Sequence, residues 1–208
     1  MKKNYIASDS AVIAAVMAIS LLISGIFTAV SSKKHIEESL VRLHILANSD
    51  SELDQQLKLR VRDAVLASSD ELFEPYSSSE EAEAALSDQL DKIKAIADST
   101  LAENGCDDRT VCEITSMNID RREYGEYTVP AGRYTALRIT IGEGKGHNWW
   151  CVMYPPLCVP CAGVDMTDEE IIEKYGGELT DEDIELLTEE GYKPRLYIAE
   201  LIGGLLEK

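Results

Sequence analysis

The chain has 208 residues, 45% of them hydrophobic and 28% charged, a globular composition that excludes a wholly disordered polymer. Thirty-eight acids oppose twenty bases, for a net charge of −18. That balance argues strongly against nucleic acid, which requires a basic face, and disfavours adsorption to anionic lipid.

The N-terminus carries the first signal. Lys2 and Lys3 precede residues 11–30, twenty positions without a charge, and Lys33 and Lys34 follow them. About twenty apolar residues can cross a bilayer. Two readings fit, a secretory signal peptide and an uncleaved anchor. Ala29 and Ser31 supply small residues for cleavage before Ser32, whereas the length of the run exceeds a usual signal core and favours the anchor. Lysines at both ends leave the orientation undecided. Either reading exports the rest of the chain, and membrane contact is expected only through this segment. Without the first 31 residues the remainder carries 18 bases and 37 acids, a net −19 over 177 residues. A chain of that length can form one core.

Residues 41–47 alternate and then turn apolar, which predicts a strand entering a buried sheet. Asn48-Ser49-Asp50-Ser51 ends it. Ser51 with Asp54 resembles a capping box, opening a helix with Leu53, Leu57, Val61, Ala64 and Val65 on its apolar face. Ser79 is placed to cap a second long helix over about 80–103, stopped by Asn104-Gly105. Its stripe is Leu86, Leu90, Ile93, Ile96, Ala97 and Leu101. Residues 110–120, 133–141 and 148–154 are rich in β-branched and aromatic side chains and read as strands. Gly142-Glu143-Gly144-Lys145-Gly146 reads as a hairpin loop between the last two. After Gly163, two acid-rich stretches opened by Thr167 and Thr180 suggest short solvated helices or an acidic linker. Residues 196–206 suggest a terminal helix. The expected fold is α+β, a small, mainly antiparallel sheet packed by two long helices behind an N-terminal signal or anchor helix. The expected division is 1–31, then an α+β signalling domain over 32–163, then an acidic helical segment over 164–208.

The chemistry is sparse. Three histidines, with no H-E-x-x-H, G-x-S-x-G or P-loop, set a low ceiling on catalysis. His44, Ser49 and Asp50 lie close in sequence, but Asn48, Ser49 and Asp50 are the residues a strand-to-helix turn needs, so their expected role is structural. The glycine-rich loop precedes a strand and lacks the helix terminus that binds phosphate. Cys158-Val159-Pro160-Cys161 has redox spacing, but prolines surround it where a helix should follow. Zinc would need cleaner cysteine pairs, and export favours oxidation. A structural disulfide between Cys151 and Cys158 across the Pro155-Pro156-Leu157 bend is expected, with no metal and no cofactor. Trp149 and Trp150 stand beside that bend. Consecutive strand residues face opposite ways, so one of the two is expected to enter the core and the other to serve as an interface anchor or to cover the sheet edge.

Four blocks carry a resemblance: Arg42 to Asp50 with Asp54-Gln55; Val61-Arg62-Asp63-Ala64-Val65; Pro130-Ala131-Gly132-Arg133-Tyr134 running to Ile139; and Asn148-Trp149-Trp150-Cys151-Val152 leading to Pro155-Pro156-Leu157-Cys158. They resemble the stage II sporulation protein R family. The resemblance implies a non-enzymatic signal made in the forespore and exported across its membrane into the intermembrane space. There it would activate a mother-cell membrane aspartic protease that processes the sigma factor E precursor. Trp149, Trp150, Pro155, Pro156 and Leu157 are the candidate receptor-binding residues. An exported hydrolase using the Asn48-Ser49-Asp50 turn and an envelope-anchored structural protein are the alternatives.

Overall fold

Alternation along Val41–Leu46 builds the central strand, β1, and sends its residues to two different environments. Leu43 and Ile45 are wholly buried against helices, while Arg42 and His44 are buried on the opposite face. The computed structural model describes residues 3–68, 76–124, 127–155 and 178–188. Within them, five helices join a four-stranded mixed sheet and a separate two-stranded one.

The first helix, α1 (Lys3–Ser39), is 37 residues long and so extends about 55 Å. It is the one helix among the described residues long and apolar enough to cross a membrane, over Ala11–Ser39. Its apolar residues from Val12 to Phe27 are exposed, as a lipid-facing segment requires. From Ala29 onward the same helix enters the folded domain. Ala29, Ile36 and Leu40 are buried, the last two in a cluster with Val129, Tyr134 and Val152. The helix passes positions 31 and 32 without a break.

Ser51 caps α2 (Glu52–Ala67), its hydroxyl accepting the Asp54 amide at 3.1 Å. Leu57, Val61, Val65 and Leu66 face the sheet, but Leu53, expected on that stripe, is 64% exposed. It lies in the first turn, where the turn chemistry rather than packing sets the backbone. The expected second long helix is two helices, α3 (Ser79–Asp88) and α4 (Leu90–Glu103), and the cap is Ser78 rather than Ser79. Gln89, at φ −102° and ψ 4°, breaks the run. The break lets both Leu86 and Ile93 reach full burial. Gly105, at φ +73°, ends α4 as the sequence indicated.

The sheet order is β2 (Thr110–Ile119), β5 (Gly132–Ile141), β1, β6 (Asn148–Tyr154). β2–β5 and β1–β6 are antiparallel and β1–β5 parallel, the parallel pair permitted by the long helical crossover between them. The loop after β5 is therefore not a hairpin: β1 lies between β5 and β6. The loop arches over the end of β1, with Lys145 and Gly146 amides donating to the Asn48 and Ala47 carbonyls at 3.0 and 2.9 Å. Gly146 sits so close that a Cβ there would collide with the Ser49 carbonyl. The small sheet is a hairpin the sequence did not reveal, β3 (Arg122–Tyr124) with β4 (Tyr127–Val129). Finally, α5 (Asp181–Leu187) opens with a full capping box between Thr180 and Asp183 and packs Leu186 and Leu187 beside α1 and β4.

Candidate functional site

The register of β1 against β6 pairs Ile45 with Trp149 and His44 with Trp150. The two tryptophans thus point to opposite faces, as alternation requires. Trp149 looks toward α2, where the Arg62 guanidinium lies 5.1 Å from its ring centre, within cation–π range. Trp150 lies flat on His44, with ring centres 3.8 Å apart and planes within 2°. Both are half-buried. The Tyr154–Pro155 peptide is cis. Pro156, Leu157, Cys158 and Cys161 lie outside the described residues, as does the acidic stretch after Thr167. Cys106 and Cys112 are free thiols, their pKa values raised chiefly by burial, whereas Cys151 is engaged in a disulfide.

The Asn48-Ser49-Asp50 turn is a junction. The Ser49 hydroxyl donates to Asp54 at 2.5 Å and accepts the Ser51 amide at 3.1 Å. The Asn48 side-chain carbonyl accepts the Glu143 amide at 2.9 Å. Asp50 accepts the His147 amide at 2.6 Å and meets its ring nitrogen at 2.5 Å. These bonds hold the Asp50 carboxyl below its usual range. Lys58, buried on α2, donates to the His147 carbonyl at 3.0 Å. Ser49 thus pairs with Asp54, and the imidazole belongs to Asp50. The turn fastens the glycine loop to the start of α2, and that fixes where β6 and its tryptophans begin.

What sequence reasoning missed lies on the other face of β1. Arg42 is fully buried. Its Nε donates to the Cys151 carbonyl at 3.0 Å and one terminal nitrogen donates to the Tyr124 hydroxyl at 2.5 Å. The guanidinium lies over both the Tyr124 and Tyr134 rings, 5.4 and 5.0 Å from their centres. Burial lowers its pKa, the two tyrosines oppose that shift, and Arg122 adds to it. His44 is 3% exposed with neither ring nitrogen bonded. Burial first, and Arg138 second, lower its pKa to about 4. The alternation of polar Arg42 and His44 with Leu43 and Ile45 was the available signal, but it reads equally as a solvent-facing side.

A cleft of about 800 Å³ opens where α1 meets the domain, lined in part by Glu37, Glu38, Ser79, Glu83 and Arg133. The Ser79 hydroxyl donates to the Glu38 carbonyl and the Ser79 amide to Glu178 there. Among the described residues no group of three or more His, Cys, Asp or Glu side chains could hold a metal ion.

The family model for stage II sporulation protein R matches residues 37–163. That stretch begins in the buried end of α1 and takes in the whole four-stranded sheet. Stage II sporulation protein R of Bacillus subtilis (strain 168) is 42% identical over 123 residues, 59% of this chain. The match spans 55% of that relative's length. No solved structure matches. With the matching region centred on the sheet, its tryptophan-bearing strand and the turn that fastens it, the chain belongs to the stage II sporulation protein R family of sporulation proteins.

Proposed function

We propose that the chain is a signal that acts outside the cytoplasm by binding. The reading is that it is exported from the forespore into the intermembrane space, where it activates a membrane aspartic protease that processes the sigma factor E precursor. The observation that carries this reading is the junction of α1 with the domain. A helix able to cross a bilayer runs directly into the core through Ile36, with Leu40 buried just past its end, so membrane crossing and domain placement are one feature. The receptor surface is assigned to Trp149 or Trp150 with Pro155, Pro156 and Leu157. Large, stiff rings beside prolines offer apolar contact with little ordering entropy left to lose. The hydrolase alternative finds no support in the turn, where the Ser49 hydroxyl donates to a carboxylate and not to an imidazole.

Reconstitution of the full chain with the candidate protease and its pro-sigma substrate tests the reading. Trp149→Ala or Trp150→Ala should cut activation by the equivalent of about 2 kcal/mol or more, a hot-spot loss, with little change in export or melting. If both variants unfold or both signal normally, the tryptophans are packing residues and the surface lies elsewhere. The Cys151–Cys158 pairing belongs to the same proposal. Closing so short a loop is worth on the order of 2–3 kcal/mol. Non-reducing peptide mapping should recover that link, and finding Cys151 joined to another cysteine would replace it.

A further inference from the structure

The polar face of the sheet holds donors without acceptors. One terminal nitrogen of Arg42, Nε of Arg122, Nε of Arg138, Nε1 of Trp150 and both ring nitrogens of His44 are buried with no hydrogen-bond partner. They are neighbours, not scattered atoms. His44 is paired in register with Arg138 on β5 and Trp150 on β6, and Arg42 lies two residues along β1 on the same face. Arg122 acts electrostatically on Arg42 from the β3–β4 hairpin. Among the described residues, the acid that meets this group is Glu113, 3.6 Å from Arg138 and half exposed. Arg42 itself has a phenol and a carbonyl for company but no carboxylate among the described residues. Buried polar groups are nearly always satisfied, and a buried guanidinium is ordinarily paired. Here six nitrogens on five neighbouring side chains are not.

We propose that this strip, from Arg122 through Arg42 and His44 to Trp150 and Arg138, is a binding site for the carboxylates of an acidic polypeptide segment. The chemistry selects the ligand. Every unsatisfied group except one nitrogen of a neutral His44 is a donor, so the missing component is an acceptor. Guanidinium forks match a planar carboxylate with two parallel bonds. The strip runs along β1 over two residues and across three strands, which suits several acceptors on one extended segment better than a single small anion. The chain's charge of −18 repels anions at long range, so an acidic segment held here must be held by these local groups. The proposal deepens the binding reading above by naming the partner's chemistry, and its test needs no protease, so the two can fail separately.

Full-length chain in detergent micelles is titrated with a hexaglutamate peptide at neutral pH, following the Trp149 and Trp150 indole N–H signals by NMR. Saturable movement of the Trp150 signal, with Trp149 nearly still, is expected. Arg42→Gln should weaken binding at least tenfold. Because that variant is buried in the main sheet, Arg122→Gln on the small hairpin provides a second probe and should weaken it severalfold without lowering the melting temperature. The proposal is overturned by an absent or unsaturable response, by unchanged affinity in folded Arg122→Gln, or by inorganic phosphate moving Trp150 as effectively as the peptide. The last result would mark a site for a free oxyanion instead.

Discussion

The two faces of the central sheet solve different problems with the same strands. On one, Leu43, Ile45, Leu137 and Ile139 meet α2, α3 and α4 in a continuous apolar cluster. On the other, Arg42, His44, Tyr134 and Arg138 lie beneath partial cover from α1, the β3–β4 hairpin and α5. The first face gains free energy by removing hydrocarbon from water. The second buries donors whose hydrogen-bond capacity is left unused, which opposes folding. Stability is therefore expected to reside on the helical face, and recognition on the polar one.

The largest effect should come from the helical face. Leu43→Ala, removing a wholly buried side chain, should cost about 2–5 kcal/mol in denaturant unfolding. A loss below about 1 kcal/mol would mean that this face is not the stabilising one. The polar face should show itself through pH. His44 titrates near 4 when folded, against about 6.5 unfolded. The unfolded chain therefore binds the proton first. Stability is retained above about pH 6.5 and lost as pH falls from 6.5 to 4, by up to about 3 kcal/mol. His44→Phe, which keeps a ring against Trp150 and removes both orphan nitrogens, should flatten that acid limb. If the pH profiles of parent and variant coincide, carboxylates elsewhere control acid unfolding. The smallest effect belongs to the junction between the faces. Ser51→Ala, which removes the α2 cap, should cost roughly 0.5–2 kcal/mol by thermal or denaturant unfolding. Ser49→Ala should leave signalling intact, and a well-folded Ser49→Ala that no longer signals would restore a chemical role to the turn.

The elements most legible in the sequence were those governed by local rules. The apolar run of α1, the caps at Ser51 and Thr180, the glycine stop at Gly105 and the β-branched and aromatic content of β2, β5 and β6 all follow from neighbouring residues. The break at Gln89 carried no proline or glycine to announce it, so one helix was expected where packing demands two. The β3–β4 hairpin has three-residue strands, too short for periodicity to register.

Residue order alone determined that this chain carries a bilayer-length helix, an α+β body and a heavily acidic surface, because hydropathy, period and charge are sums over nearby side chains. Only the tertiary structure decided that β1 slips between β5 and β6. The glycine loop that looks like a hairpin connection instead straddles a third strand, held there by Asn48 and Asp50. Only the tertiary structure, too, turned Arg42 and His44 inward. An alternating strand declares that its two sides differ, but which side meets solvent depends on what the rest of the chain lays over it.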